Sequence, residues 1–135
     1  MTAAFSRRTW TLLAIAIAIA WFASLDVRKL QHPDEGRYAE IAREMVVTGD
    51  WVTPRLNGIK YFEKPPLQYW LTGAAFRAFE VDEWTARLPG ALAGFLTILI
   101  VGYVGSIIAS KTAGAYAALA FAGCVWPFGM AHLVS

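Results

Sequence analysis

Three long stretches of the chain carry no Asp, Glu, Lys or Arg: Thr9–Leu25, Leu88–Ser110 and Thr112–Ser135, of 17, 23 and 24 residues. An α-helix rises 1.5 Å per residue, so about 20 apolar residues cross the hydrocarbon of a bilayer. The second and third runs predict spanning helices over 88–110 and 112–135. The first run is short but predicts another span within 1–25, behind a brief tail. Trp10 and Trp21 suit the interfacial ends of that first span. The segment 26–87 between the first two runs has a different rhythm. Tyr38, Ile41, Ala42, Met45 and Val46 recur at i, i+3, i+4, i+7 and i+8 and draw one apolar stripe. Arg37, Glu40, Arg43 and Glu44 occupy the other face, and Thr48-Gly49 supplies a stop. This predicts an amphipathic helix over about 34–48, lying along a membrane surface. "GDWVTPRLNGIKYFEKPP" reads as a Gly- and Pro-rich loop. A second helix over about 66–79 opens at Pro66, is apolar nearly all round and is too short to span, so it is interfacial or re-entrant.

Composition agrees with this pattern. Of 135 residues 57% are hydrophobic, against about 45–50% in soluble domains. All ten acids lie between Asp26 and Glu83, and nine of the twelve bases lie between Arg28 and Arg87. The chain therefore reads as an all-α integral membrane protein with one large polar loop. Its net charge of +2 comes from scattered bases without a stacking platform, which excludes a nucleic-acid partner. The single Cys124 can form no intrachain disulfide and reads as a small hydrophobe. A cleaved signal, even a twin-arginine one, competes for "SRRTWTLLAIAIAIAWFAS", but two further apolar runs favour an uncleaved span. Arg7, Arg8 and Lys111 then mark the cytoplasmic side and put the 26–87 loop outside, in the periplasm of a bacterial inner membrane. Gly90 with Gly94, and Gly102 with Gly105, read as small residues for close helix packing.

Two places carry candidate chemistry. Asp34 and Glu35 open the first loop helix, where an Asp ordinarily caps the helix. On a helix held at the water–lipid boundary, such a carboxylate can instead take a proton from an acceptor hydroxyl or hold a metal. "YFEKPPLQYWL" is the second. Lys64 precedes a helix N-terminus, an unfavourable place for a cation unless an anion lies between them, which argues for a phosphate site. Snorkelling to headgroups, or pairing with Glu63, is the competing explanation. Arg55, Lys60, Arg37 and Arg43 are further candidates for a pyrophosphate or headgroup, against simple solvation or pairing with Glu40 and Glu44. Glu35 and Arg55 join Lys64 as candidate substrate-binding residues. Tyr61, Phe62, Tyr69 and Trp70 bracket Lys64 as interfacial anchors or sugar-stacking rings. His32 and His132 are not spaced as a metal pair.

Taken together, the Asp-Glu pair, "RYAEIAREMVVTGDWVTPRLNG" and "FEKPPLQYWL" resemble the start of the GT-C membrane glycosyltransferases. They resemble most the bacterial branch that holds the lipid A aminoarabinose transferases, akin to protein O-mannosyltransferases. The resemblance runs from about Trp10 to the end of the chain. It implies a GT-C-type multi-span helical bundle with juxtamembrane helices in its first outer loop, acting on a sugar carried by polyprenyl phosphate. It implies that Asp34 is the catalytic carboxylate and Lys64 a ligand of the carrier phosphate. It also implies that Glu63 stands where this branch can hold a divalent metal, Zn, Mg or Mn. The second acidic residue and the outer C-terminal domain of such enzymes are not within these residues, so this N-terminal quarter is expected to be inactive alone.

The expected activity is transfer of a sugar, 4-amino-4-deoxy-L-arabinose being the first candidate, from a polyprenyl-phosphate carrier to lipid A or another envelope acceptor on the periplasmic side. A protein O-mannosyltransferase-like enzyme is the alternative. Two readings from other classes differ in what they predict. A membrane scaffold or transporter subunit would be insensitive to Asp34→Asn and Lys64→Ala but sensitive at Gly90 or Gly94. A lipid-binding module would bind carrier through Lys64 without turnover.

Overall fold

A computed structural model describes residues 6–27, 29–30, 33–124, 129–130 and 132–133. The chain is mainly helical: α1 (Arg7–Ala23), α2 (Asp34–Thr48), a two-stranded hairpin of β1 (Arg55–Leu56) and β2 (Ile59–Lys60), α3 (Leu67–Ala78), α4 (Glu83–Ile108) and α5 (Lys111–Gly123).

The apolar stripe of α2 is its buried face: Tyr38, Ala39, Ile41, Ala42 and Met45 pack with Tyr69 and Phe76 of α3 and with Ala86 of α4. Gly49 closes the helix in the left-handed region, at φ 73°, which glycine adopts without a Cβ penalty. α3 lies so close to the loop after α2 that a Cβ at Gly73 would stand 3.1 Å from the Trp51 ring. Trp70 Nε1 donates to the Trp51 carbonyl at 2.6 Å, tying the same two segments together.

The stretch read as a plain loop contains a hairpin. Arg55 pairs with Lys60 and Leu56 with Ile59, around Asn57 and Gly58 at φ 53° and 77°. Two successive left-handed residues make a type I′ turn, whose twist suits antiparallel strands, and Asn-Gly is its strongest sequence signal. Glu44, on the polar face of α2, anchors the turn by accepting the N–H groups of Asn57 and Gly58.

α4 begins at Glu83, a full turn before its charge-free run, because Asp82 caps it by accepting the Glu83 N–H. With 26 residues and a mean hydropathy of 2.2, α4 is the one helix among the described residues long and apolar enough to cross a membrane. Where three spans are expected from the sequence, α1 has 17 residues and the described part of α5 has 13. Trp21 faces the protein: it is 2% exposed, packs with Leu25, Ala91 and Ile98, and donates Nε1–H to the Ala91 carbonyl at 2.9 Å. A tryptophan with a buried N–H partner stabilises a core contact as readily as an interface.

α5 turns back along α4 across glycines. A Cβ at Gly105 would stand 3.0 Å from the Gly114 Cα, and one at Gly114 would stand 2.3 Å from the Gly102 carbonyl oxygen and 2.6 Å from the Ser106 nitrogen. Gly114→Ala therefore forces two backbones apart and is expected to cost about 1–3 kcal/mol, the range for overpacking a close contact. The check is the thermal midpoint in detergent, beside Gly123→Ala, where a Cβ meets nothing within 4 Å and the midpoint should hold.

Candidate active site

Pro33 is the N-cap residue of α2 and provides no side-chain cap, and Asp34 lies within the first turn. The Asp34 carboxylate therefore does not cap the helix. It accepts from the guanidinium of Arg37, one turn on, and remains largely exposed. Arg37 also lies 4.0 Å from the Glu63 carboxylate, which accepts the Tyr61 hydroxyl proton. A chain of polar contacts thus runs from Tyr61 through Glu63 and Arg37 to Asp34. It joins the start of α2 to the segment before α3. The hydrogen bond to Asp34 pushes the Arg37 pKa up, and the bond to Glu63 pushes the Tyr61 phenol up, so both groups stay donors.

Lys64 reaches the same place from the segment before α3. Its Nζ lies 4.6 Å from the centre of the Tyr38 ring, and the Arg37 guanidinium lies 5.6 Å from it. Two cations on one ring are favourable to the ring quadrupole and unfavourable to each other, an arrangement suited to an anion placed between them. Tyr69 packs against Tyr38 with ring centres 6.1 Å apart. Beside this group Lys64, Tyr38, Gln68 and Tyr69 line a cleft of about 400 Å³, closed on its far side by Pro89, Gly90 and Ala93 of α4.

Asp34, Glu63 and Lys64 thus come together, while Glu35 and Arg55 are placed elsewhere. Glu35 is 2% exposed and accepts two hydrogen bonds, each 3.2 Å, from the guanidinium of Arg87, itself 1% exposed. Arg87 also donates to the carbonyls of Leu25 at 2.8 Å and Lys29 at 3.1 Å. The buried Glu35 carboxylate has no surface left on which to meet a substrate; it joins the end of the α1 segment, α2 and α4. Arg55 sits on the hairpin and pairs with Asp50 at 3.6 Å. Asp50 is held below the usual carboxylate range chiefly by the Thr53 backbone N–H. Arg43 pairs with Glu40 at 2.7 Å, which lowers the Glu40 pKa.

Glu63 belongs to no group of three such ligands among the described residues; its contacts are the cation Arg37 and the Tyr61 hydroxyl. A divalent ion prefers several oxygen or nitrogen donors to a guanidinium, so this donor set alone does not fit one. Asp26, Asp82 and Glu83 do bring their carboxylates within 4.8 Å of one another, but Asp82 is engaged as the α4 cap. His32 lies outside the described residues, and His132 Nε2 stands 2.7 Å from the Trp21 carbonyl.

The residues that sequence reasoning undervalued are Arg37, Tyr38 and Arg87. Arg87 had a readable signal, since an ionisable residue at the mouth of an apolar run is a functional or structural anchor by default. Arg37 had only a weak one, as one of four bases open to a pyrophosphate or headgroup, because three-residue spacing to Asp34 also describes an ordinary solvated pair.

The chain is similar along nearly its whole length to solved structures of ArnT from Cupriavidus metallidurans. The apo structure matches with a TM-score of 0.89 at 43% identity, covering 95% of this chain and 24% of that one. The structure bound to undecaprenyl phosphate matches with a TM-score of 0.91 at 42% identity, covering 96% and 24%. Among curated proteins, the undecaprenyl phosphate-alpha-4-amino-4-deoxy-L-arabinose arabinosyl transferase of Aeromonas salmonicida is 42% identical over 89 residues, 66% of this chain and 16% of its own length. The enzyme numbered 1 under that name in Proteus mirabilis is 36% identical over 113 residues, 84% and 21% respectively. The chain thus spans about a fifth or less of these curated relatives. A family model described as dolichyl-phosphate-mannose-protein mannosyltransferase matches residues 6–125, so the chain belongs to that family of membrane glycosyltransferases.

Proposed function

We propose that the protein containing this chain transfers a sugar, 4-amino-4-deoxy-L-arabinose by similarity, from undecaprenyl phosphate to lipid A or another envelope acceptor. What supports this reading most is that Asp34 and Lys64, from separate segments, meet through Arg37 and Tyr38: Asp34 on the Arg37 guanidinium, Lys64 and Arg37 both by the Tyr38 ring. One acid and one phosphate-seeking base are what a transfer from a phosphate carrier needs. The likeness to a protein crystallised with undecaprenyl phosphate supports the same carrier.

In this reading α1, α4 and α5 span a bacterial inner membrane. The N-terminus is cytoplasmic, and the α2–α3 segment lies on the periplasmic surface. α4 is about 39 Å long at 1.5 Å per residue, and its exposed Leu92, Leu96, Leu99, Ile100 and Val104 are suited to lipid or further helices. The bond from the sugar's anomeric carbon to the carrier phosphate breaks, and the phosphate leaves with the electron pair. The acceptor oxygen forms the new bond to that carbon. Lys64 offsets the negative charge growing on the departing phosphate. Asp34 takes the proton of a hydroxyl acceptor; where the acceptor is an already ionised phosphate, it orients that group instead. Arg37 holds the Asp34 carboxylate in place, and Glu35 serves the fold through Arg87. Arg55, paired with Asp50, takes no part in the step. Glu63 orients Arg37.

The test is deletion of the full-length gene followed by mass spectrometry of the envelope glycolipids. The expected result is loss of one sugar from one glycolipid class, lipid A first, restored by the wild-type gene. An unchanged glycolipid profile would overturn the reading.

A further inference from the structure

Three side-chain atoms among the described residues are buried without a hydrogen-bond partner: Arg37 Nε, the Tyr69 hydroxyl and Thr85 Oγ1. Two of the three belong to residues flanking one ring, Tyr38. Native proteins leave few buried polar atoms unpaired, because each forfeits its hydration without replacement. An unpaired group retained beside a reaction site is accounted for if its partner arrives with the ligand. Both atoms here are donors, and the cations Arg37 and Lys64 both lie by the Tyr38 ring, with the Asp34 and Glu63 carboxylates engaged, of these two, on Arg37 alone. The missing partner is therefore an acceptor bearing negative charge.

Tyr69 is well fixed for such a role. It is 1% exposed, lies in the first turn of α3 and lines the cleft together with Lys64 and Gln68. Burial, helped by the neighbouring phenols of Tyr61 and Tyr38 and by Glu63, lifts its pKa to about 12, so the hydroxyl keeps its proton next to an anion. Pro66 gives α3 no side-chain cap, so the first-turn N–H groups of α3 add a positive helix end to the same cleft. The remaining lining, Leu67, Leu71, Pro89 and Ala93, is apolar. The ligand that fits is a phosphate monoester on a hydrocarbon chain.

Resting on the carrier assigned above, we propose that the Tyr69 hydroxyl is a second, neutral donor to the carrier phosphate, acting beside Lys64. Lys64 supplies charge at the end of a flexible stem, whereas Tyr69 supplies one donor of fixed direction. The hydroxyl contributes nothing to the ligand-free fold and is kept for the bound state.

Tyr69→Phe removes the hydroxyl alone. The full-length protein in detergent would be titrated with undecaprenyl phosphate and with undecaprenol, its uncharged counterpart, as wild type, Tyr69→Phe and Lys64→Ala. Thermal unfolding would be followed without ligand. A hydrogen bond to a charged group predicts a roughly tenfold or greater loss of phosphate affinity in Tyr69→Phe. Undecaprenol affinity should be unchanged, and the ligand-free midpoint should be equal or higher. Unchanged phosphate affinity in Tyr69→Phe, with Lys64→Ala weakened, overturns the proposal and leaves the carrier reading standing. Unchanged affinity in both variants overturns both. A lowered midpoint with parallel loss of both ligands makes the hydroxyl structural and also overturns the proposal.

Discussion

Asp34→Asn in the full-length protein is expected to lower the turnover rate by about 10²–10⁴ when the acceptor is a hydroxyl, the range for removing a positioned general base. The substitution keeps the shape of the side chain and its place in the first turn of α2. It removes the basic oxygen pair and half of the ion pair with Arg37. The pair is exposed, and exposed pairs contribute about 1 kcal/mol or less, so folding should barely change. Carrier binding should hold or tighten slightly, since one negative charge leaves the neighbourhood of the phosphate. The measurement is single-turnover transfer from radiolabelled carrier at matched protein levels. If the acceptor is an anionic phosphate, no proton need be removed and the loss should be far smaller. The size of the effect therefore reports acceptor chemistry as well as the role of Asp34. Full activity in Asp34→Asn with a hydroxyl acceptor would sink the catalytic assignment.

Arg87→Ala is expected to have the largest effect on the fold. It leaves the Glu35 carboxylate buried and uncompensated, a change that costs about 3–5 kcal/mol when one partner of a buried pair is removed. It also strips the carbonyls of Leu25 and Lys29 of their donor. The thermal midpoint in detergent should drop sharply and the yield of folded protein should fall. Glu35→Leu combined with Arg87→Met separates the two losses. An apolar pair of similar volume recovers much of the ion-pair deficit. It cannot serve the two carbonyls, so the double variant should lie between wild type and Arg87→Ala. A double variant no better than Arg87→Ala would mean that the carbonyl contacts dominate. Equal stability of Arg87→Ala and wild type would remove the junction from the account of the fold.

Much of this architecture was legible in the sequence where one physical demand dominates a stretch. The stripe from Tyr38 to Val46 satisfies the helical period so fully that no other backbone could bury Ile41, Ala42 and Met45 together. The charge-free run from Leu88 marks α4, but not its start at Glu83, because the capping group Asp82 lies among residues that look like loop. The hairpin was legible in Asn57-Gly58 and was obscured by the surrounding prolines and glycines. Lys64 stood out because a cation before a helix N-terminus runs against ordinary helix electrostatics, whereas Asp34 suits its helix start and drew notice by its place just after an apolar run. The separation of Glu35 from Asp34 was not legible, although they are neighbours in sequence. Adjacent helical residues point about 100° apart, and only the position of Arg87, on a distant segment, decides which of the two is buried.

The three-way junction at Arg87 also bears on biosynthesis. Glu35 and Arg87 are 52 positions apart, and the Leu25 carbonyl is 62 positions from Arg87. At roughly 5–20 residues per second, Glu35 waits on the order of 3–10 s for its counter-ion to be translated. During that interval α2, an acidic helix with one apolar face, is without its lock. Completion of α4 as far as Arg87 is then the event that fixes the start of α2, so slowing translation through the codons before Arg87 would prolong exposure of this segment to chaperones and proteases.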